Sequence, residues 1–392
     1  MTPTAAYCEM RPTFRVGELF RNGHNTGGMD AWFPGSEIHF TYKGRTALRY
    51  LCDLMGLRDA DVLMPAYNCG SETEPLVSGG ARIVPYRVDK GAVADVEDLR
   101  RLISEKTKAV HVTHYFGFPQ PIDEIKSLCD RNGLFLIEDC ALALFSGRHD
   151  GKLGSWGDAA ILSLPKSLSL PDGGVLVINN ARLRSSAWRK RKAPYLKVAR
   201  RTLSLSWSAL LRRLSMSTSL HGVYSRLHDR WITKELSSFA STQDPDAQLG
   251  VPDWMHYTED CRDRALSLIS ERLLRAVDED EVIRLRRRNY LHLASLLSEK
   301  AGFTMLYGTL PPAVCPLGLP LVCDDRDALY KSLLRRGVAS EVWWPGFDKS
   351  VDWSRFPEAR FLKNHVLLLP VHQGLQEKDM EYMAHSMAPL RP

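Results

Sequence analysis

Short apolar runs alternate with segments of helical periodicity along the first half of the chain. Apolar runs that predict buried strands lie at 62–65, 81–88, 109–113, 134–137, 159–164 and 175–178. Between them, apolar residues recur at steps of three and four, which predicts helices at 44–55, 96–104 and 122–129. Strands that alternate with helices predict an α/β fold in which a mostly parallel sheet is flanked by helices.

The pattern changes twice after residue 180. A helical pattern runs from 263 to 299 with an acidic break at 278–281, and strands and helices then alternate to the end of the chain. These later elements are predicted strands at 319–322, 338–344 and 364–370, and predicted helices at 326–336 and 377–387. We therefore divide the chain into a large domain with an N-terminal arm (1–180), an insert (181–253), and connecting helices with a small C-terminal α+β domain (254–392).

The insert carries the positive charge of the chain. Residues 182–234 contain 14 Lys/Arg and one acid, a net +13, so the remainder carries −7 of the overall +6. Apolar residues form one helical stripe there: Leu196, Ala199, Leu203, Trp207, Leu210 and Leu214. Either the stripe docks on an anionic membrane surface, or it packs on the body or a partner subunit while the arginines contact substrate phosphates. Nucleic-acid binding is disfavoured because no recognised module accompanies the charge.

Composition narrows the class of protein. The 392 residues are 44% hydrophobic and 25% charged, enough for a large core and more than one domain. The eight cysteines form no CxxC pair and no zinc spacing, so no metal site is expected. No uncharged run reaches the length of a membrane span, and the first 20 residues lack an apolar core typical of a secretion signal. We expect a cytoplasmic protein, with peripheral contact with the inner face of the membrane as an option.

The most informative chemistry lies between residues 134 and 178. Asp139 follows one predicted strand, and Lys166 follows another. Ligands of open α/β sheets bind where strands end. Pyridoxal phosphate (PLP) needs such a pair, a lysine for its Schiff base and a carboxylate for its ring nitrogen. On spacing alone, a helix-capping Asp and a solvated Lys are the favoured explanation of the pair.

The motifs around this pair resemble those of the DegT/StrS family of PLP-dependent sugar aminotransferases, which have fold type I. The matching segments are Glu138-Asp139-Cys140-Ala141, Gly154-Ser155-Trp156-Gly157-Asp158, Leu162-Ser163-Leu164-Pro165-Lys166, Asp172-Gly173-Gly174 and Leu369-Pro370-Val371-His372-Gln373-Gly374-Leu375. The resemblance covers about 44–178 and resumes from about 286. It implies that Lys166 carries the cofactor and that Asp139 pairs with the pyridinium nitrogen.

The resemblance also implies other cofactor contacts. Gly44, Arg45 and Thr46 match a helix start that binds the cofactor phosphate, and Ser163 matches a phosphate-binding serine. His114 matches a residue beside the cofactor, although a single histidine at a strand end is more often structural. Cys69 stands where the family has the aromatic ring that stacks on the pyridine, and Tyr67 is the alternative stacking residue. Leu142 replaces a common Gln or His, and the family segment that reaches the partner's cofactor is not recognisable.

The resemblance predicts an aminotransferase that moves an amino group, with glutamate as the expected donor, to a keto sugar nucleotide in polysaccharide or glycoconjugate biosynthesis. It also predicts a homodimer. The family's dehydratases have a histidine in place of the lysine, so Lys166 argues against that reaction. The alternatives are a degenerate relative that binds sugar nucleotide or membrane without catalysis, and a PLP enzyme of another reaction type.

Overall fold

The computed structural model describes residues 8–12, 29–184, 188–215, 257–344 and 352–387. Most of the predicted N-terminal arm and residues 216–256 of the insert lie outside the described residues. Among the described residues, no helix is both long enough and apolar enough to cross a membrane.

A seven-stranded sheet forms the centre of the large domain. The strand order is β1-β9-β8-β5-β4-β2-β3, in which β9 runs antiparallel to both neighbours and the other adjacent pairs are parallel. The strands are β1 (Glu37–Thr41), β2 (Asp61–Pro65), β3 (Arg82–Tyr86), β4 (Thr107–Thr113), β5 (Phe135–Asp139), β8 (Ala159–Ser163) and β9 (Gly174–Ile178). Strands β6 (Gly147–Arg148) and β7 (Gly151–Lys152) form a separate short hairpin. The predicted mostly parallel α/β sheet is confirmed.

Helices cover both faces of this sheet. They are α1 (Gly44–Leu54), α2 (Thr73–Ser78), α3 (Val96–Leu102), α4 (Ile122–Asn132) and the short α5 (Leu164–Ser167). On one face, Leu48 and Leu51 of α1 pack against Val62, Ile137 and Ile161 of the sheet. The opposite face carries the alternate strand residues, because side chains along a strand point to opposite sides. This alternation decides which polar residues meet at the strand ends.

Strand β1 was not predicted. The predicted N-terminal arm of the large domain covers the residues before the first predicted helix, but Glu37–Thr41 pairs with β9 as the edge strand of the main sheet. Its apolar residues Ile38 and Phe40 pack against the core, and this alternation with polar residues is the signal for a strand. The arm interpretation is therefore wrong for these residues.

The C-terminal part forms a smaller antiparallel sheet of order β10-β11-β13-β12. Its strands are β10 (Phe303–Met305), β11 (Gly318–Cys323), β12 (Glu341–Val342) and β13 (Val366–Pro370). Two helices, α7 (Leu268–Arg275) and α8 (Glu279–Leu297), lead into this part of the chain. Its own helices are α9 (Arg326–Arg335), α10 (Pro357–His365) and α11 (Glu377–Ser386). The predicted strand at 338–344 shrinks to two residues. Of the predicted acidic break at 278–281, only Asp278 lies between α7 and α8, and the other three residues form the first turn of α8.

Helix α6 (Tyr195–Ser215) is the described part of the basic insert. It buries Val198 and Leu205, which are 7% and 8% exposed. The predicted stripe lies on another side: Leu196 is 78% exposed, Leu203 71% and Trp207 50%. The interpretation that this stripe packs on the body of the same chain is therefore wrong for these residues. The helix docks through a different face, which spacing alone could not distinguish.

Candidate active site

The two adjacent carboxylates at the end of β5 point to opposite faces of the sheet. Glu138 accepts hydrogen bonds from the backbone N–H groups of Gly154 (3.0 Å), Trp156 (2.8 Å) and Gly157 (2.5 Å). Asp139 shares its face with Ile137, on the side covered by α1. Glu138 is therefore committed to holding the 154–157 loop, and Asp139 is the carboxylate left for a ligand.

Asp139 is 3% exposed and has one firmly held oxygen. Its Oδ1 accepts a hydrogen bond from the backbone N–H of Ala141 at 2.7 Å, while Oδ2 lies 3.6 Å from His111 Nε2. Burial lowers the pKa of His111, which keeps the imidazole neutral. Neither ring nitrogen of His111 has a hydrogen-bond partner among the described residues. One carboxylate oxygen of Asp139 is thus open to an N–H donor.

Lys166 lies on α5, directly after β8. The preceding Pro165 occupies the first turn, where its missing N–H costs nothing. The Lys166 Nζ lies 5.9 Å from the centre of a Trp343 ring. Its side chain lines a small cavity together with five other residues: Met10, Arg11, Leu317, Glu341 and Trp343. The lysine therefore faces a cavity closed by the N-terminal segment and the small domain.

Glu72 is a third carboxyl group near this pair, and the sequence analysis missed it. It is 7% exposed, and its Oε1 accepts a hydrogen bond from Cys69 Sγ at 3.1 Å. Burial and the negative charge of Asp139 raise the pKa of Glu72 to about 8, although Lys166 lowers it. Glu72 is therefore protonated at neutral pH. No motif marked it, because it stands in a polar loop after β2.

The start of α1 lies against the ends of β8 and β9. A side chain at Gly174 is excluded, since a Cβ there would lie 2.2–2.3 Å from Lys43 C and Gly44 N. The N-cap residue Lys43 provides no side-chain cap, and its carbonyl accepts from the Thr46 N–H at 3.0 Å, so the N–H groups of Gly44 and Arg45 are the ones left for a ligand. A Cβ at Gly44 would lie 4.0 Å from the Ser163 Cβ, so Ser163 is next to this helix start. Gly44 and Ser163 therefore lie next to each other, and the phosphate contact of Arg45, Thr46 and Ser163 stays a prediction.

Thr46 and Lys43 complete the surroundings of this helix start. The Thr46 hydroxyl donates to the Cys261 carbonyl at 2.8 Å, so its proton is used within the chain and its oxygen remains an acceptor. Burial and the charge of Arg45 lower the pKa of Lys43. Lys43 was not predicted as a site residue. Its position beside Arg45 places two basic side chains at this end of α1.

The structure does not bring the His114 side chain to Asp139. His114 Nε2 donates to Glu138 Oε2 at 3.0 Å, and Nδ1 accepts from the Gln120 N–H at 3.1 Å. Both nitrogens are thus used on the Glu138 side of the sheet. His111, three residues earlier, contacts Asp139 instead. The alternation along β4 and β5 could have indicated that His111, and not His114, lies beside Asp139, because residues 111 and 114 face opposite sides of the sheet.

Cys69 and Tyr67 are the two residues predicted for the stacking position. Cys69 points to Glu72, and burial raises the pKa of its thiol. The Tyr67 hydroxyl donates to the Trp343 carbonyl at 2.6 Å, and the ring packs on Trp344 with centroids 4.7 Å apart. Tyr67 is thus fixed between the large domain and the small domain.

The fold is the type I architecture, which it shares with solved structures of low sequence identity. Residues 41–202 match the model of the DegT/DnrJ/EryC1/StrS aminotransferase family. The match contains the α1 start, Asp139 and Lys166, and it extends into α6, beyond the limit near 178 that we expected.

Two named proteins and one solved structure are similar to this chain. The chain is 33% identical over 141 residues to GDP-perosamine synthase of Vibrio cholerae, which covers 35% of this chain and 38% of the relative. It is 26% identical over 362 residues to dTDP-4-dehydro-2,3,6-trideoxy-D-glucose 4-aminotransferase of Saccharopolyspora spinosa, covering 89% and 83%. The solved structure of Helicobacter pylori PseC, an aminotransferase involved in pseudoaminic acid biosynthesis, superimposes with a TM-score of 0.69 at 15% identity, covering 97% and 98%. The first of these matches therefore spans about two fifths of its relative.

Proposed function

We propose that this protein is a PLP-dependent aminotransferase that transfers an amino group to a keto sugar nucleotide. The observation that carries the proposal is the pairing of the open Oδ2 of Asp139 with the cavity at Lys166. Relatives whose names describe nucleotide-sugar aminotransferases support the substrate class. Glutamate is the proposed amino donor.

The residues present fit the cofactor. The unoccupied hydrogen-bonding capacity of Asp139 Oδ2 suits a ring N–H, and the first N–H groups of α1 with Ser163 suit a phosphate. The cations Lys43 and Arg45 add electrostatic attraction for that phosphate. When bound, PLP supplies an electron sink that stabilises a carbanion at the amino-bearing carbon of the substrate.

The chain's own groups then have distinct roles. Asp139 holds the proton on the ring nitrogen, because an ionised carboxylate beside that nitrogen favours its charged form. The Lys166 amine moves a proton as general base and then as general acid. Trp343 and Leu317 line the same cavity and limit the access of water. Glu72, neutral at pH 7, adds no second negative charge beside Asp139.

A half-transamination screen tests the proposal. Purified protein loaded with PLP is exposed to individual amines, and the change in cofactor absorbance is recorded. Keto sugar nucleotides are then added to the converted protein. We expect glutamate to change the absorbance and a keto sugar nucleotide to restore it. A protein that takes up PLP and responds to no amine would support the alternative, a binding protein without catalysis.

Cofactor attachment at Lys166 has an independent test. Borohydride treatment of the loaded protein should fix the cofactor on the peptide that contains Lys166, as read by mass spectrometry. Lys152, which also lies on the large domain but forms an ion pair with Glu279, is the comparison residue. Label on another lysine, or failure to take up PLP, would refute the assignment.

We also propose a homodimer, since relatives with fold type I provide the expectation and C₂ dimers are the commonest closed assemblies. Sedimentation of the loaded protein at micromolar concentration is the measurement. A monomer that turns over substrate would contradict the proposal.

Finally, we propose that the exposed face of α6 docks on an anionic membrane surface. This face carries Leu196, Leu203 and Trp207, with Leu210 43% exposed at its end. Arg200 is exposed next to these residues, and the surrounding segment has a large excess of positive charge. Interfacial helices combine such apolar residues with cations, and each cation near an anionic surface contributes about 1 kcal/mol.

Flotation with liposomes tests this docking. Binding should increase with anionic lipid, decrease with salt, and disappear when Leu203, Trp207 and Leu210 are changed to Ser. Leu291→Ser, at a site 52% exposed on α8, is the matched control and should bind as the unchanged protein does. If the triple variant instead loses the dimer in sedimentation, the stripe is a subunit interface and the membrane proposal fails.

A further inference from the structure

Strands β4 and β5 carry two histidine–carboxylate pairs, one on each face of the central sheet. His114 Nε2 lies 3.0 Å from Glu138 Oε2, and His111 Nε2 lies 3.6 Å from Asp139 Oδ2. None of the four side chains is more than 4% exposed. The first pair forms a hydrogen bond, whereas the second is slightly longer than one. The longer pair therefore belongs to the carboxylate that is left for a ligand.

The two carboxylates differ in the number of donors that they accept. Glu138 accepts three backbone N–H groups in addition to His114. Among the described residues, Asp139 accepts one hydrogen bond, from the Ala141 N–H to Oδ1 at 2.7 Å. Burying a carboxylate costs free energy unless hydrogen bonds replace the lost water. Asp139 therefore needs a further donor to serve as an anion inside the protein.

His111 is the side chain placed to supply that donor. Thr113 lies opposite Asp139 in the parallel pairing of β4 with β5, so His111, two residues earlier, is on the same face. The core on this face contains Ala109 and Ile137, which continue the same alternation. His111 is fully buried, and neither ring nitrogen has a hydrogen-bond partner within the described part of the chain. A buried N–H without an acceptor is costly, so both groups gain from the contact.

The protonation state of His111 suits this role. Burial lowers the pKa of the imidazole, so the ring is neutral and carries one N–H. A neutral donor stabilises the carboxylate without adding a positive charge that would compete with a protonated cofactor ring. A carboxylate oxygen has two acceptor positions, so Asp139 Oδ2 can accept from His111 and from the ring nitrogen together. A shift of about 0.5 Å brings His111 and Asp139 within hydrogen-bond distance.

We propose that His111 is a positioning residue, which acts through Asp139 on the ring nitrogen of the cofactor. Its Nε2–H donates to Asp139 Oδ2, orients this oxygen towards the ring N–H and keeps the carboxylate anionic. The proton then stays on the ring nitrogen rather than on Asp139. This inference rests on the proposed function, because it takes PLP as the ligand that Asp139 holds.

Two cofactors separate this role from simple packing. The first is PLP, and the second is its deaza analogue, in which a carbon atom replaces the ring nitrogen. Each is titrated into the cofactor-free protein. His111→Leu should weaken PLP binding roughly 10-fold, the size of one lost hydrogen bond to a charged group, because Asp139 holds the ring N–H less well. The affinity for the analogue should not fall, since it has no ring N–H to hold.

Matched variants control for the change in packing. His111→Gln keeps an N–H at a similar reach and should recover most of the PLP affinity. Val112→Ala, at the next residue of β4 and on the opposite face, should leave the ratio of the two affinities unchanged. His111→Asn, whose shorter amide does not reach Asp139 Oδ2, replaces His111→Leu if the latter does not fold. Thermal unfolding establishes that each variant used is folded.

The protonation of the ring nitrogen can also be observed directly. PLP labelled at this nitrogen gives an NMR signal whose chemical shift depends on protonation. We expect the protonated position in the unchanged protein and in His111→Gln, and a shift towards the unprotonated position in His111→Leu. A loss of packing alone would weaken the binding of both cofactors and leave this signal in place.

Two results would overturn the role of His111. One is a PLP affinity that is unchanged in His111→Leu, or that falls equally with the affinity for the analogue. The other is a ring-nitrogen signal that does not move in this variant. The proposed function fails in a different way. A protein whose PLP binding depends on His111 as expected, but which responds to no amine in the half-transamination screen, would refute the aminotransferase and leave the positioning role in place.

Discussion

Glu138 and Asp139 are consecutive residues, yet they serve opposite faces of the central sheet. Glu138 accepts three backbone N–H groups and the His114 ring, while Asp139 faces His111 and keeps one oxygen open. The period of two along a strand imposes this division. One carboxylate therefore builds the loop that shapes the site, and the other is available for chemistry. The two residues should respond differently to the same amide substitution.

Asp139→Asn should abolish turnover while the fold remains. The neutral amide does not stabilise a positive charge on the cofactor ring, so the electron sink is lost. We expect some PLP to remain bound and turnover to fall by about 10²-fold or more, the size typical of a lost electrostatic contact in a transition state. Cofactor content, absorbance and the half-transamination rate are the measurements. A variant with normal turnover would remove Asp139 from its proposed role.

Glu138→Gln should primarily destabilise the fold. The amide NH₂ would face backbone N–H groups that now donate to a carboxylate, leaving buried donors without acceptors. We expect a loss of about 3 kcal/mol in the free energy of unfolding, typical of breaking one partner of a buried charged group. Chemical denaturation monitors this loss. A variant as stable as the unchanged protein, but without cofactor binding, would place Glu138 in the ligand site instead.

The orientation of α6 is tested by two leucines two residues apart. Leu205 is 8% exposed and contacts the core, whereas Leu203 is 71% exposed. Leu205→Ala should cost about 2 kcal/mol, since it removes buried methyl groups. Leu203→Ala should change stability by less than about 0.5 kcal/mol, as surface substitutions do. Equal losses for both variants in thermal unfolding would mean that the helix is rotated or covered on both faces.

Periodicity and motif order predicted most of the sheet and the positions of Asp139 and Lys166. The predicted runs at 62–65, 109–113 and 175–178 fall within or match strands β2, β4 and β9. Buried parallel strands are nearly continuous apolar runs, so their signal is strong and local. Strand β1 was not predicted because its alternation of apolar and polar residues is weaker, as in other edge strands. Its pairing with β9 also joins residues that are distant in sequence.

Contacts between distant segments could not be predicted. Glu72 becomes unusual only because folding buries it near Asp139 and Lys166, and no property of the loop sequence shows that burial. The same holds for Arg11, which reaches the Lys166 cavity through bonds between Cys8 and residues 337 and 339. Helix α6 shows a third case, in which helical spacing found an apolar face but not the face that is buried. Packing, rather than local pattern, selects among such alternatives.

The buried Glu72 should make stability depend on pH. Its pKa in the folded protein is about 8, compared with an ordinary value of 4.5, because burial and Asp139 disfavour the charged form. Between these two values the folded protein holds a proton that the unfolded chain has released. Folding therefore binds more protons in this window, and stability from this residue is complete below about pH 4.5 and declines as the pH rises to about 8.

Glu72→Gln, which stays neutral, should remove this decline. Compared with the unchanged protein, the variant should therefore be more stable at pH 9 than it is at pH 5. Thermal unfolding of the cofactor-free protein across this range is the measurement, with Glu97→Gln, exposed on α3, as the control. The same pH dependence in the unchanged protein and the Glu72 variant would show that Glu72 is ionised in the folded state over the whole range.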